Sequence, residues 1–106
     1  MLKLSEFLNE QGFSQRGSAQ WGRNYWKSTT DGGTLSISLM NGSYCEPRGS
    51  FDVDTYTSIE VGFIKNGDFY NHPAVDSNLF SGVGILPYFP VDKLETLVLT
   101  CCEIAH

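Results

Sequence analysis

From Thr34 to Met40 the chain alternates without a break: Leu35, Ile37 and Leu39 on one side, Thr34, Ser36 and Ser38 on the other. Successive side chains of a strand point to opposite faces, so a period of two predicts a half-buried strand with the three aliphatic residues inward. Just before it stands Thr30-Asp31-Gly32-Gly33, a turn signal, and before that an aromatic-rich run from Gln20 to Thr29. Two extended runs joined by so short a Gly-containing turn predict an antiparallel hairpin. Any chain that contains this hairpin must cover the aliphatic face with something else.

In the aromatic run, alternation places Trp21, Arg23, Tyr25 and Lys27 on one face and Gly22, Asn24, Trp26 and Ser28 on the other. The two tryptophans therefore face opposite ways. One suits the core. The other is expected to be partly exposed unless an N-terminal helix covers its side of the sheet, and both arrangements fit the sequence.

Downstream, Asn41-Gly42 signals another hairpin. Tyr44 and Cys45 follow, but Pro47 and Gly49 interrupt, which predicts an edge or a loop. Phe51 to Tyr56 alternates Phe51 and Val53 against Asp52 and Asp54 and is expected to be extended. It leads into Ser58 to Lys65, where Ile59, Val61 and Phe63 share a face. Asn66-Gly67 closes a tight turn into Asp68 to Asn71. Sequential strands joined by Gly-containing turns predict an antiparallel meander of four to six strands. Between His72 and Gly84 periodicity is lost, which predicts a long irregular loop. Read on to Tyr88, that loop is either a lid over a site or a plain crossover to the last helix.

Helices are expected at both ends. Leu4, Phe7, Leu8 and Gln11 recur at helical spacing, and Gly12 stands where a left-handed stop residue belongs, with Phe13 able to fold back onto Leu8. At the other end Val91, Leu94, Leu97, Val98, Cys101, Ile104 and Ala105 form one apolar stripe, preceded by an Asp92/Glu95 pair at capping-box spacing. The polar stretch Ser14 to Ser18 between the first helix and the first strand is expected to be a loop. The predicted fold is one α+β domain spanning residues 1–106. Its sheet lies against a C-terminal amphipathic helix, and a short helix precedes it. For 106 residues a single core is the ordinary size.

The net charge of −5 disfavours direct binding to nucleic acid or to anionic membranes. No apolar run is long enough to span a bilayer, and Met1 to Glu10 contains no long apolar segment of the signal-peptide kind. Three cysteines, Cys45, Cys101 and Cys102, are an odd number with no framework spacing. They read as reduced thiols in a cytoplasmic protein.

Motif chemistry is sparse. Asp52-x-Asp54 offers two carboxylates but no further ligands for Mg²⁺ or Ca²⁺, so solvated acids are the plainer reading. Cys45 and His72 are a conceivable nucleophile and base, but Glu46 beside Cys45 would raise a thiol pKa and no family signature accompanies them. Adjacent Cys101-Cys102 with His106 lacks zinc spacing. Gly82-Val83-Gly84 has no phosphate-loop context. No metal, cofactor or catalytic constellation is therefore expected.

An acidic, aromatic-rich domain with few charges instead suggests a small non-catalytic binding protein, an inhibitor or accessory factor. It would dock Trp26, Tyr44, Glu46, Asp52, Asp54 and Glu60 on a basic surface of a larger protein. A nucleic-acid-binding complex is one such partner, with carboxylates standing where phosphates would lie. By analogy alone, phage or mobile-element proteins that block host defence enzymes have this character. The alternatives are a subunit that self-associates as a homodimer, or a small enzyme or ligand-binding domain using the 72–88 loop.

Overall fold

A computed structural model describes residues 3–18, 22–39, 43–46 and 52–102. The chain opens with α1 (Leu4–Glu10), followed by strands β1 (Ser14–Ser18), β2 (Gly22–Ser28) and β3 (Thr34–Ser38). A 3-10 turn (Val53–Thr55) precedes β4 (Ser58–Lys65) and β5 (Asp68–Phe69). A second 3-10 turn (Ser77–Leu79) lies before β6 (Ile85–Pro90), and a third (Val91–Lys93) leads into α2 (Leu94–Cys101).

The six strands form one antiparallel sheet in the order β1-β2-β3-β4-β5, with β6 also pairing with β4. This is the expected α+β meander with a helix at each end. The longest strand, β4, organises it. One edge of β4 pairs with β3, and the other is shared by β5 (at Ile64 and Lys65) and β6 (from Ser58 to Gly62). The chain thus leaves β4's edge at Tyr70 and returns at Gly84, closing an excursion whose two ends touch. Tyr70 N–H donates to the Phe63 carbonyl, and Phe63 N–H donates to the Gly84 carbonyl.

The registers Tyr25–Ile37–Val61 and Lys27–Leu35–Phe63 put one face of the sheet inward. Leu35, Ile37, Ile59, Val61 and Phe63 are wholly buried there, in one cluster with Leu4, Phe7 and Leu8 of α1 and Leu94, Leu97, Val98 and Cys101 of α2. Both helices therefore cover the same face. Burial of a large aliphatic or aromatic side chain stabilises by about 1.5–3 kcal/mol, so this layer carries most of the fold's hydrophobic stabilisation. Trp26 lies on the opposite face, half-buried, with no helix over it among the described residues. Trp21, its expected counterpart, lies outside the described residues, as do the Asn41-Gly42 turn, Pro47, Gly49, Phe51, Ile104, Ala105 and His106.

Helix α1 stops as its sequence dictates. Gly12 takes φ +72, and Phe13 N–H reaches back to the Leu8 carbonyl. Asn66 and Gly67 take φ 54 and 83, the left-handed pair of a tight hairpin. Four expectations are corrected. Ser14–Ser18 is a strand, held by its backbone ladder to β2. The Phe51–Tyr56 segment, where described, is a 3-10 turn and not a strand, because Asp52 turns its carboxylate back onto the Asp54 N–H. Ile85–Pro90 is a strand where a loop was expected. The C-terminal helix begins as a 3-10 turn without a side-chain cap, and it ends at Cys101 because Cys102 turns extended and pairs with Thr29 of the β2–β3 turn.

No helix among the described residues is long and apolar enough to cross a membrane.

Candidate functional site

The face of the sheet opposite the helices is built in rows. Trp26, Ser36, Gly62 and Ile85 stand in one row across β2, β3, β4 and β6, and Asn24, Ser38 and Glu60 in the next. The Asn24 carboxamide oxygen accepts from the Trp26 indole N–H at 2.7 Å and from the Ser36 hydroxyl at 2.8 Å, which pins the indole to the sheet. Ser38 and Ser43 share a hydroxyl hydrogen bond of 2.7 Å. Where β1 begins, the edge of β2 opens into a cleft of about 540 Å³ lined by Ser14, Trp26, Ser28, Thr29 and Thr34.

At the far corner of this face β6 departs from regular pairing. Leu86 pairs with Val61 and Phe89 with Ile59, so Pro87 and Tyr88 together stand opposite Glu60 in a bulge. The bulge accommodates Pro87, which has no N–H to give a ladder. It also forces Tyr88 to φ +50, a rare conformation for a bulky side chain. The Tyr88 N–H leaves the β4 ladder and donates to the Tyr44 carbonyl at 2.9 Å. The Tyr44 N–H in turn donates to Glu60 Oε1 at 3.2 Å. The two tyrosine rings meet with centroids 5.9 Å apart and planes inclined by 52°. They remain 49% and 42% exposed. Glu46, two residues from Tyr44, bridges by its backbone to Ser58 and keeps its side chain in solvent. Among the described residues neither Glu46 nor Glu60 has an ion-pair partner.

Of the six residues singled out from sequence, this geometry interlocks Tyr44 with Glu60 and sets Glu46 beside them. Trp26 shares the face. Asp52 and Asp54 are engaged elsewhere. Asp52 accepts from the Asp54 N–H, and Asp54 accepts from both the backbone N–H and the hydroxyl of Ser5 at the start of α1. Those hydrogen bonds from Ser5 hold the Asp54 carboxyl below the usual range. Among the described residues no three His, Cys, Asp or Glu side chains are grouped to hold a metal ion. The sequence alone does not single out Tyr88, because its role depends on a bulge that only the β4–β6 register creates.

His72 does not meet Cys45, which lies in the main core. Its ring stands against Cys101, with Sγ 3.7 Å from Nδ1. Nδ1 accepts the Ala74 N–H at 3.1 Å, so the ring is the tautomer with its proton on Nε2. Nε2 faces Asp31 Oδ1 at 3.7 Å. Asp31 in turn accepts from the Thr29 hydroxyl and from the Tyr70 hydroxyl at 2.8 Å. An Asp–His–Cys array resembles a nucleophile and its base, but here the thiol is held in its protonated form. Burial first, then the adjacent Cys102, pushes the Cys101 thiol up to about 11. The nitrogen that would take its proton is already occupied by Ala74. The cluster instead ties the β2–β3 turn, the end of β5 and the end of α2 together, helped by the Thr30 N–H donating to the Cys101 carbonyl at 2.9 Å.

No protein-family model, curated protein or solved structure matches this chain. Any functional reading therefore rests on the geometry alone.

Proposed function

We propose that this protein is a small, non-catalytic binding protein that docks the Tyr44–Tyr88 corner and the adjoining sheet face onto a basic surface of a larger protein. One observation carries the reading. Tyr88 is held in a left-handed backbone conformation that costs on the order of 1–3 kcal/mol, and its ring stays 42% exposed beside that of Tyr44. Strain of that kind persists where the displayed side chain has a use. Paired exposed tyrosines are the rigid amphipathic anchors that protein interfaces favour. The carboxylates of Glu46 and Glu60 and the net charge of −5 select a positively charged partner and speed its encounter. One use of such a surface is to occupy a nucleic-acid-binding site on that partner.

The test is capture of partners by the wild-type chain and by a Tyr44→Ala/Glu60→Gln variant. It is run at roughly 0.1 M salt and again at about 1 M, where the screening length falls from about 10 Å to about 3 Å. The expected result is a stoichiometric basic protein that is retained by the wild type at low salt and lost at high salt or with the variant. Equal recovery by both chains, or recovery of none, overturns the proposal.

The terminal position of β1 in the strand order favours a second reading, self-association through that edge. Sedimentation of the isolated chain separates the two, since a stable dimer at micromolar concentration supports the second.

A further inference from the structure

We infer that the Tyr44–Glu60–Tyr88 corner is a receptor for an arginine side chain of the partner, in preference to lysine. The inference rests on the proposed docking role of this corner and adds the chemistry of what is docked. Glu60 stands in the ladder directly opposite the Pro87-Tyr88 bulge, and its carboxylate accepts from the Tyr44 N–H, which sets it beside Tyr44. Oε1 is used by the Tyr44 N–H. Among the described residues Oε2 has no partner. The corner thus offers one carboxylate oxygen and two tilted aromatic rings on a rigid frame.

A guanidinium fits that set. It is planar, stacks on an aromatic face, and still directs N–H donors in its plane toward a carboxylate oxygen. A lysine ammonium is a compact, strongly hydrated charge that satisfies the carboxylate but gains little from the ring planes. The frame is fixed before binding. Tyr44's backbone is held at both N–H and carbonyl, and Tyr88's by its N–H to Tyr44, so little backbone freedom is lost on docking. Glu46 adds negative charge two residues from Tyr44.

The experiment is an NMR titration of the full chain with short capped oligo-arginine and oligo-lysine peptides of equal length. The expected result is that the arginine peptide shifts the backbone amides of Tyr44, Glu60 and Tyr88 and binds about tenfold tighter than the lysine peptide. Glu60→Gln keeps the acceptor for the Tyr44 N–H but removes the charge, and it is expected to weaken both peptides. Tyr88→Asn keeps a residue that tolerates the left-handed backbone but removes the ring, and it is expected to abolish the preference for arginine. The dispersion of each variant's spectrum reports that it is folded. Equal affinity for the two peptides at these amides overturns the arginine preference and leaves the basic-partner reading intact. Shifts centred elsewhere, no binding of either peptide, or an arginine preference that survives Tyr88→Asn overturn the receptor outright. The docking role itself stands or falls with the capture experiment.

Discussion

Asp54 caps a helix from 49 residues beyond Ser5: its two carboxylate oxygens accept from the backbone N–H and the hydroxyl of Ser5 at 2.9 and 2.8 Å. The helix supplies no side-chain cap of its own, because Lys3 stands at the cap position. Loss of a cap costs about 1 kcal/mol, and Asp54→Ala is expected to lower the urea midpoint accordingly. The pH dependence follows from the direction of the shift. The folded carboxyl titrates below the unfolded one, so the charged part of this stabilisation is complete above the usual carboxylate range and fades as pH falls through it. Urea titrations from neutral pH down to about pH 3 should show the wild type and variant converging in acid. A difference that does not change with pH would count against the capping role.

Asp31 is the second carboxylate under tension, and it is better shielded, at 25% side-chain exposure. The Thr29 hydroxyl first, with help from the Tyr70 hydroxyl and the Gly33 N–H, lowers its pKa to about 2 against the opposing effect of burial. Relative to an ordinary aspartate near 4, that corresponds to roughly 2 kcal/mol of stability at neutral pH. It is fully present above about pH 4 and is lost as the pH drops toward 2. Asp31→Asn should remove most of it at neutral pH and flatten the acid limb of the stability curve over that window. Chemical denaturation of both chains at several pH values checks this, and an unchanged acid limb would refute it.

What the sequence revealed, and what it hid, follows from which forces shape each element. The strand from Ser58 to Lys65 and the one at Thr34 are written in alternation because one face of each is buried by both helices. The stop at Gly12 and the turn at Asn66-Gly67 are written in residues that tolerate positive φ. Strand β1 has no such signature: Ser14–Ser18 is polar and is held through backbone bonds to β2, which composition does not report. Strand β6 carries Pro87 and Pro90, which ordinarily argue against a strand, and the bulge opposite Glu60 is what makes Pro87 admissible. The same bulge explains the partial legibility of the candidate site. Tyr44, Glu46 and Glu60 are legible in the sequence as an aromatic residue among acidic ones. Tyr88 became their partner only through a register between strands far apart in sequence. The pairing of His72 with Cys101, 29 residues away, is likewise not legible in the sequence, because there Cys101 is one more small apolar residue on a helix stripe.

Gly84 closes the 71–84 excursion, and two independent reasons demand glycine there. Its φ is +76, and a Cβ would lie 2.8 Å from the Tyr70 carbonyl oxygen and 2.9 Å from the Tyr70 nitrogen. Its N–H also donates to the Asn71 side chain at 2.7 Å. Gly82, at φ +69, has the same conformational demand but nothing within 4 Å of the position a Cβ would take. Gly82→Ala is therefore expected to cost only the backbone strain, about 1 kcal/mol, whereas Gly84→Ala should cost clearly more because backbone atoms must move. Thermal melts of the two variants make the comparison, and equal losses would show that the close approach of Tyr70 is not a constraint.

Reactivity of the thiols follows from their burial. All three cysteines are buried thiols outside any disulfide. Desolvation is the leading cause that pushes both Cys101 and Cys102 up to about 11, so at pH 8 neither carries an appreciable thiolate fraction, and the thiolate is the reactive form. An aromatic disulfide reagent is therefore expected to label no cysteine of the native protein on the mixing timescale at that pH, and to label all three once guanidinium unfolds the chain. Slow labelling in native buffer should follow the opening of the structure, and it should accelerate in Asp31→Asn, whose turn no longer holds the end of α2 as firmly. A cysteine at position 101 that reacts at once in the folded wild type would mean that the His72 array is accessible. It would then have to be reconsidered as a nucleophilic site.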